Sequence, residues 1–355
     1  MASHSEWGFE TAAAEVAAAF PDSIRGRTIL ITGVSLGGLG GTTAKALAAH
    51  SPHLLIFTGR SPDKVNAVIA EIQQSYPEVN YRFLHMDLSL QASVRKAAAE
   101  VLAHDDVDGI DLLINNAGVM DIQERTLSPE GIEIQFATNH IGHFLFTNLI
   151  MPKLVSAAAK ESPNPSSANP RIVNVSSLGH MFGPIRFSDH TLSRPLDDIP
   201  KEEWPSLDRL RALNGIPDES SPYIPFAAYA QSKTANILFS LSLTAKLAAK
   251  HNITSFALHP GSVLTELQRN SDQEKLAESR RRYGLIKRKN LEQGSSTTLV
   301  AALDPGLPAG NVRDGTGLYL DDCQIGNQAD WAKDPKAAER LWQLSEELVG
   351  QAFDI

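Results

Sequence analysis

The stretch from Arg27 to Ala49 leaves a chain like this few folds to choose from. Arg27-Thr28-Ile29-Leu30-Ile31-Thr32-Gly33 is a short, apolar, β-branched run ending in glycine, the pattern of a strand buried on both faces of a parallel sheet. Val34-Ser35-Leu36-Gly37-Gly38-Leu39-Gly40-Gly41 follows, and Thr42 to Ala49 then reads as helix. A strand, a glycine-rich turn and a helix N-terminus make a phosphate cradle. The helix start offers unpaired N–H groups and the positive end of its dipole, and glycine lets an anion approach the backbone. A second strand, Leu54-Leu55-Ile56-Phe57-Thr58, begins about 20 residues after the turn, as a crossover to a parallel neighbour requires.

The same alternation continues. Strands are expected near 28–32, 54–58, 81–85, 111–115, 171–175, 253–258 and 318–320. Helices are expected near 10–20, 40–49, 63–75, 91–103, 129–159, 227–250, 293–302 and 335–349. This order predicts an α/β fold, a doubly wound, mostly parallel seven-stranded sheet with helices on both faces. A chain of 355 residues is long enough for two domains. The motifs run in sequence along one sheet, however, so one domain over 27–325 is expected. An N-terminal extension with a short helix (1–26) precedes it and a helical extension (326–355) follows. An insertion (180–226) and a lid segment (266–290) are expected beside the pocket.

Tyr229-Ala230-Gln231-Ser232-Lys233 places a phenol and an ammonium on one helix face. A nearby ammonium stabilises a phenolate and lowers its pKa by roughly 1–3 units, which suits proton transfer near neutral pH. Such a pair also occurs on ordinary surface helices.

Composition narrows the function classes. The chain is 42% hydrophobic and 21% charged, with a net charge of -9 and no basic block of the kind nucleic acid requires. Cys323 is the single cysteine, so no intramolecular disulfide forms and a reducing, cytoplasmic location is expected. No apolar run reaches the length of a membrane span. Met1 to Phe20 is Ala-rich and acidic, without the basic start of a signal peptide. His140 and His143 have ligand-like spacing but no acidic or cysteine partner, so no metal is expected.

Thr32-Gly33 with its glycine-rich turn, Asn115-Asn116-Ala117-Gly118, Ser176-Ser177 and Tyr229…Lys233 stand in the order seen in the short-chain dehydrogenase/reductase family, which the chain resembles over most of its length. The resemblance implies a Rossmann fold and a nicotinamide cofactor held by Thr32, Gly33, Ser35, Gly38, Leu39 and Gly40. The turn is one residue longer than the family pattern, and Gly37 is expected to absorb the extra residue. After the second strand comes Gly59-Arg60-Ser61. The acid that NAD-binding members carry there is missing, and Arg60 can pair with a 2′-phosphate, so NADP (NADPH) is expected. Asp87 and Leu88 match the adenine-contacting pair, with a helix cap as the alternative reading of Asp87. Asn116, Ala117 and Gly118 lie against the cofactor in the family. Pro260, Gly261, Val263 and Thr265 match the loop that grips the nicotinamide carboxamide.

By the same resemblance the catalytic set is Asn139, Ser177, Tyr229 and Lys233. Tyr229 exchanges the proton and Ser177, or Ser176 in its place, bonds the substrate oxygen. Lys233 tunes the phenol and bonds the nicotinamide ribose, and the Asn139 carboxamide holds a relay water. Asn139-His140, Gly142-His143-Phe144, His259-Pro260-Gly261 and Tyr319 with Asp321-Asp322-Cys323 resemble the retinol-dehydrogenase branch. The interval between Ser177 and Tyr229 is longer than usual, so no substrate carries over from it. The expected substrate is an apolar or ring-bearing carbonyl compound or alcohol, received near Trp204, Tyr223, Ile224 and Phe226. A non-catalytic NADP sensor or scaffold, a dehydratase or epimerase, and a homodimer remain open alternatives.

Overall fold

Eight strands form one sheet in the order β3-β2-β1-β4-β5-β6-β7-β8. They are β1 (Thr28–Thr32), β2 (Leu54–Gly59), β3 (Asn80–His85), β4 (Leu112–Asn115), β5 (Arg171–Val175), β6 (Thr254–His259), β7 (Tyr319–Asp321) and β8 (Gln324–Ile325). The computed structural model describes residues 2–160, 168–214, 221–272, 274 and 287–355. Residues 215–220 of the expected insertion, and 273 and 275–286 of the expected lid, lie outside the described residues.

β1 through β7 are parallel, and every residue of β1, β4 and β5 is buried. This is why those strands read as unbroken apolar runs rather than alternating ones. The expected count of seven strands is short by one. The two-residue β8 folds back antiparallel on β7 through a turn at Asp322 and Cys323, both with positive φ (44° and 64°). A strand that brief carries no periodic signal.

The helices are α1 (Ala13–Ala19), α2 (Leu39–Ala48), α3 (Pro62–Ser75), α4 (Gln91–Ala103), α5 (Ile134–Leu149), α6 (Met151–Ala158), α7 (Leu207–Asn214), α8 (Pro225–His251), α9 (Leu291–Leu303) and α10 (Pro335–Val349). Local chemistry marks their ends. Ser61 caps α3 ahead of Pro62, Asn290 and Gln293 form a reciprocal capping box on α9, and Gly350 ends α10 at φ +65°. The single helix expected over 129–159 is two helices bent 58° apart. Pro152, at the start of α6, lacks the N–H that continuity would need. α5 begins only at Ile134, where the Glu133 carboxylate accepts from the Phe136 N–H, and it contains a π-helical turn, Ala137–Ile141. Among the described residues no single helix is long and apolar enough to cross a membrane.

A polar chain runs through the buried centre. Asn115 donates to Asn174 (2.9 Å) and Thr147 (3.1 Å), and Asn174 donates to Ser240 (2.8 Å) and Ser255 (3.2 Å). It fixes β4, β5 and β6 against α5 and α8, since a buried amide must find partners. Both chain ends pack on the domain. Trp342 of α10 meets Phe144 edge-on at 4.9 Å, and α1 lies on α9 while Gln324 holds the carbonyls of His4 and Trp7.

Candidate active site

The C-terminal ends of the central strands lie level: Thr32 pairs with Thr58, Asn115 with Asn174, Val175 with Leu258. Strand order reverses between β1 and β4, the place where a doubly wound sheet receives a ligand. Gly33 has φ +72°, and a Cβ on it would lie 2.7 Å from Ala117, so two loops close on each other without side chains between them. Gly37 also has positive φ (+68°), within a turn closed by the Gly38 N–H and the Ser35 carbonyl. α2 starts at Gly38 with no side-chain cap, which leaves its first-turn N–H groups for an anion. These donors fit a pyrophosphate.

Thr32 is the knot beneath the cradle. Its hydroxyl accepts from the N–H groups of Asn116 and Ala117 (both 3.0 Å) and bonds His143 Nε2 at 2.8 Å. His143 Nδ1 faces the Asn139 carbonyl at 3.0 Å, and a carbonyl only accepts. The Nδ1 hydrogen is therefore donated to Asn139, and Thr32 donates to Nε2. The Asn116 carboxamide donates to the Thr32 and Gly33 carbonyls, so it shapes the cradle from within.

Tyr229 and Lys233 are buried on α8. Burial pushes the Tyr229 phenol up to about 12, opposed by its hydrogen bond with Ser177. Burial alone brings Lys233 down to about 7. This corrects the expectation that the ammonium depresses the phenol. Lys233 Nζ donates to the Val175 carbonyl at 2.9 Å and stands 5.7 Å from the Tyr229 ring centroid. With both groups out of water, desolvation exceeds their mutual effect. The phenol thus keeps its proton at neutral pH.

Ser177 faces Tyr229, while Ser176 is turned away to donate to the Lys233 carbonyl (2.7 Å). Ser177 also accepts from the Gly179 N–H, and a Cβ at Gly179 would lie 2.9 Å from the Tyr229 ring. The Asn139 carboxamide, expected to hold a relay water, is bonded within the chain. It donates to the Val119 carbonyl (2.8 Å) and Ser232 (2.9 Å) and accepts from the Val119 N–H (2.8 Å). It holds the loop after Gly118 against α8.

The remaining positions divide. Arg60 is exposed, with no partner among the described residues. The Asp87 carboxylate accepts from the Ser89 N–H and hydroxyl, as a local cap does, and Leu88 is buried beside Gly142. Pro260 precedes Gly261 (φ +91°), and Thr265 caps the short helix Glu266–Asn270. Val263 and Leu39 both approach Gly294 of α9, where a Cβ would lie 2.5 and 2.9 Å from them. Phe226 lies 5.6 Å from the Tyr229 ring and 4.9 Å from Phe182. Tyr223 is anchored elsewhere, donating to the Ile122 carbonyl, and Trp204 donates to Ile199. Among the described residues no cluster has metal-ligand geometry. Burial brings His140 to about 3 and His143 to about 4, so both rings are neutral at pH 7.

Sequence reading missed His143 as the link between Thr32 and Asn139. It also missed the buried carboxyl of Glu133, raised to about 7 by burial, which accepts from the Phe136 N–H and lies 3.3 Å from the Tyr223 hydroxyl. The spacing of His143 from His140 points to a ligand pair rather than to this link, and Glu133 carries no spacing signal.

A family model described as short chain dehydrogenase matches residues 27–189. The chain is 41% identical over 251 residues to Oxidoreductase fscI of Fusarium equiseti, covering 71% of this chain and 93% of that one. It is 33% identical to Retinol dehydrogenase 13 of Homo sapiens, covering 92% and 86%. A crystal structure of an uncharacterised protein from Mycobacterium Paratuberculosis superposes with a TM-score of 0.65 at 31% identity, covering 96% and 98%. The chain belongs to the short-chain dehydrogenase/reductase family of oxidoreductases. Within that family it is of the retinol-dehydrogenase-like kind.

Proposed function

We propose that this protein is an NADP(H)-dependent oxidoreductase that reduces an apolar ketone or aldehyde to the alcohol, or runs the reverse reaction. The observation that carries the reading is Tyr229 and Ser177 meeting at the sheet edge, with Lys233 one helical turn on. The cofactor supplies or accepts the hydride. Tyr229, protonated below about 12, donates its proton to the developing alkoxide. Ser177 hydrogen-bonds the same oxygen and stabilises its charge. Lys233, one helical turn on and donating to the Val175 carbonyl, would hold the nicotinamide ribose. The uncapped start of α2 and the Gly33–Ala117 approach receive the pyrophosphate, and Arg60 receives the 2′-phosphate.

Three apolar side chains support an apolar substrate. Leu178, beside Ser177, is 50% exposed and Leu264, beside Val263, is 56% exposed, while Phe226 lies against Tyr229. The lone buried Cys323 fits a reducing compartment, the cytoplasm first. The test is NADPH consumption against a panel of aliphatic, aromatic and cyclic carbonyl compounds, and NADP reduction with the matching alcohols. NADPH binding with no turnover of any of them would replace this reading by a non-catalytic one.

A further inference from the structure

The Pro260–Val263 turn stands on a buried lysine. Lys289 precedes α9, and its side chain is 0% exposed. Its stem runs beneath Gly261: a Cβ there would lie 2.6 Å from Lys289 Cδ and 3.0 Å from Cε. Its main chain supports the same turn. The Lys289 N–H donates to the Ser262 carbonyl at 3.0 Å, and Val263 and Lys289 form a parallel bridge.

The ammonium ends 2.6 Å from Asp322 Oδ1 and 5.3 Å from the Phe9 ring centroid. It therefore joins the N-terminal extension, the β7–β8 turn and the loop after β6. Burying an ammonium is expensive unless it is paired, and an apolar residue would fill the same space without that cost. The charge also faces His259, whose Nδ1 accepts the Leu178 N–H at 3.0 Å. Burial and then Lys289 hold His259 down to about 4, so its ring stays neutral and keeps accepting. Leu178 follows Ser177 directly, so the same lysine reaches the substrate side.

We propose that Lys289 is a positioning residue whose ion pair with Asp322 fixes the Pro260–Val263 turn and the Ser177–Gly179 turn as one unit. It thereby sets how the nicotinamide end of the cofactor meets the substrate oxygen. The inference rests on the proposed function for the meaning of those turns. A lysine that merely stabilised the fold would affect both ends of the cofactor equally.

Lys289→Met keeps much of the stem and removes the charge. Asp322→Asn removes the partner at a half-exposed position. NADPH and adenosine 2′,5′-bisphosphate, which lacks the nicotinamide half, are titrated against each variant, with thermal melting to follow the fold. In both variants NADPH affinity falls about tenfold while the bisphosphate stays within about twofold, a differential of one decade in binding constant, and kcat falls more than KM rises. Equal losses for the two ligands, or none for either, overturn the role of Lys289. Asp322→Asn gives the same readout if Lys289→Met does not fold. Wild-type protein that binds neither ligand overturns the functional reading itself, and this inference with it.

Discussion

Lys233 Nζ donates to the Val175 carbonyl, and Ser176, the next residue along, donates back to the Lys233 carbonyl. The two bonds clasp α8 to the end of β5, with Asn236 adding a third at Val175 (3.1 Å). The clasp sets the height of Tyr229 above the sheet without any acidic partner. A buried base without a counter-charge gives up its proton readily, which is why Lys233 sits near neutrality.

Replacing Tyr229 with Phe retains the ring against Gly179 and Phe226 and removes only the hydroxyl. Turnover is expected to fall ~10²–10⁴-fold, the usual worth of a positioned general acid, with NADPH affinity and melting temperature close to wild type. Steady-state rates and a cofactor titration check this. Near-normal turnover would remove Tyr229 from the mechanism.

Stability should rise with pH above neutrality. The folded-state pKa of Lys233, about 7, lies below its ordinary 10.5, so between those values the unfolded chain holds the extra proton. Tyr229 acts in the opposite sense above its ordinary 10.0, because the folded chain keeps the phenol protonated to about 12. Urea unfolding from pH 7 to 10 should show the rise in wild type and a flatter profile in Lys233→Met. The same slope in both proteins would contradict the assignment.

Acid should unfold the protein through its buried histidines. Burial lowers His140 to about 3 and His143, His180 and His259 to about 4, from an ordinary 6.5. Across that window the unfolded chain binds more protons, so stability is lost as pH falls through it. His143 and His180 each donate through Nδ1 to a carbonyl and accept at Nε2, and a second proton breaks the accepting bond. Urea midpoints should drop between pH 6.5 and 4, and constant midpoints would count against it.

Asn139→Ala should cost stability as well as rate. It strands the Val119 N–H and carbonyl and removes a donor from Ser232. At about 1–3 kcal/mol for each buried group left unpaired, the expected loss is roughly 2–5 kcal/mol. Chemical denaturation measures it. A stable variant with only a rate defect would return Asn139 to a water-relay role.

Arg60→Ala should weaken NADPH roughly 10- to 150-fold and leave NADH nearly unchanged, since a charge-assisted pair is worth about 1.5–3 kcal/mol. Converting preference toward NADH by Gly59→Asp needs room, because a Cβ at position 59 would lie 2.7 Å from Val65 Cγ2. The double variant Gly59→Asp, Val65→Ala is the appropriate test. Equal losses for both cofactors on removing Arg60 would sink the phosphate role.

What the sequence makes legible is whatever repeats or has a fixed place. The runs Thr28–Thr32 and Arg171–Val175 appear as strands because burial on both faces leaves only apolar and β-branched choices at most positions. Tyr229 and Lys233 are visible because helical spacing puts them on one face. Asn139 is visible as a position, but its use depends on where Val119 and Ser232 arrive in space. The same holds for Thr32 with His143 and for Lys289 with Asp322, pairs separated by long stretches of chain. The break at Met151–Ala158 was signalled by Pro152, but the apolar pattern continues across it and hides the bend.

Gly294 has one further consequence. Leu39, from the phosphate side of the proposed site, and Val263, from the nicotinamide side, lodge in the notch left by its missing side chain, with the Pro260 carbonyl 3.6 Å from where a Cβ would stand. The start of α2 and the loop after β6 therefore bear on one point of α9. A single methyl group at that point would displace the ends of both side chains at once, at a distance from every atom that does chemistry.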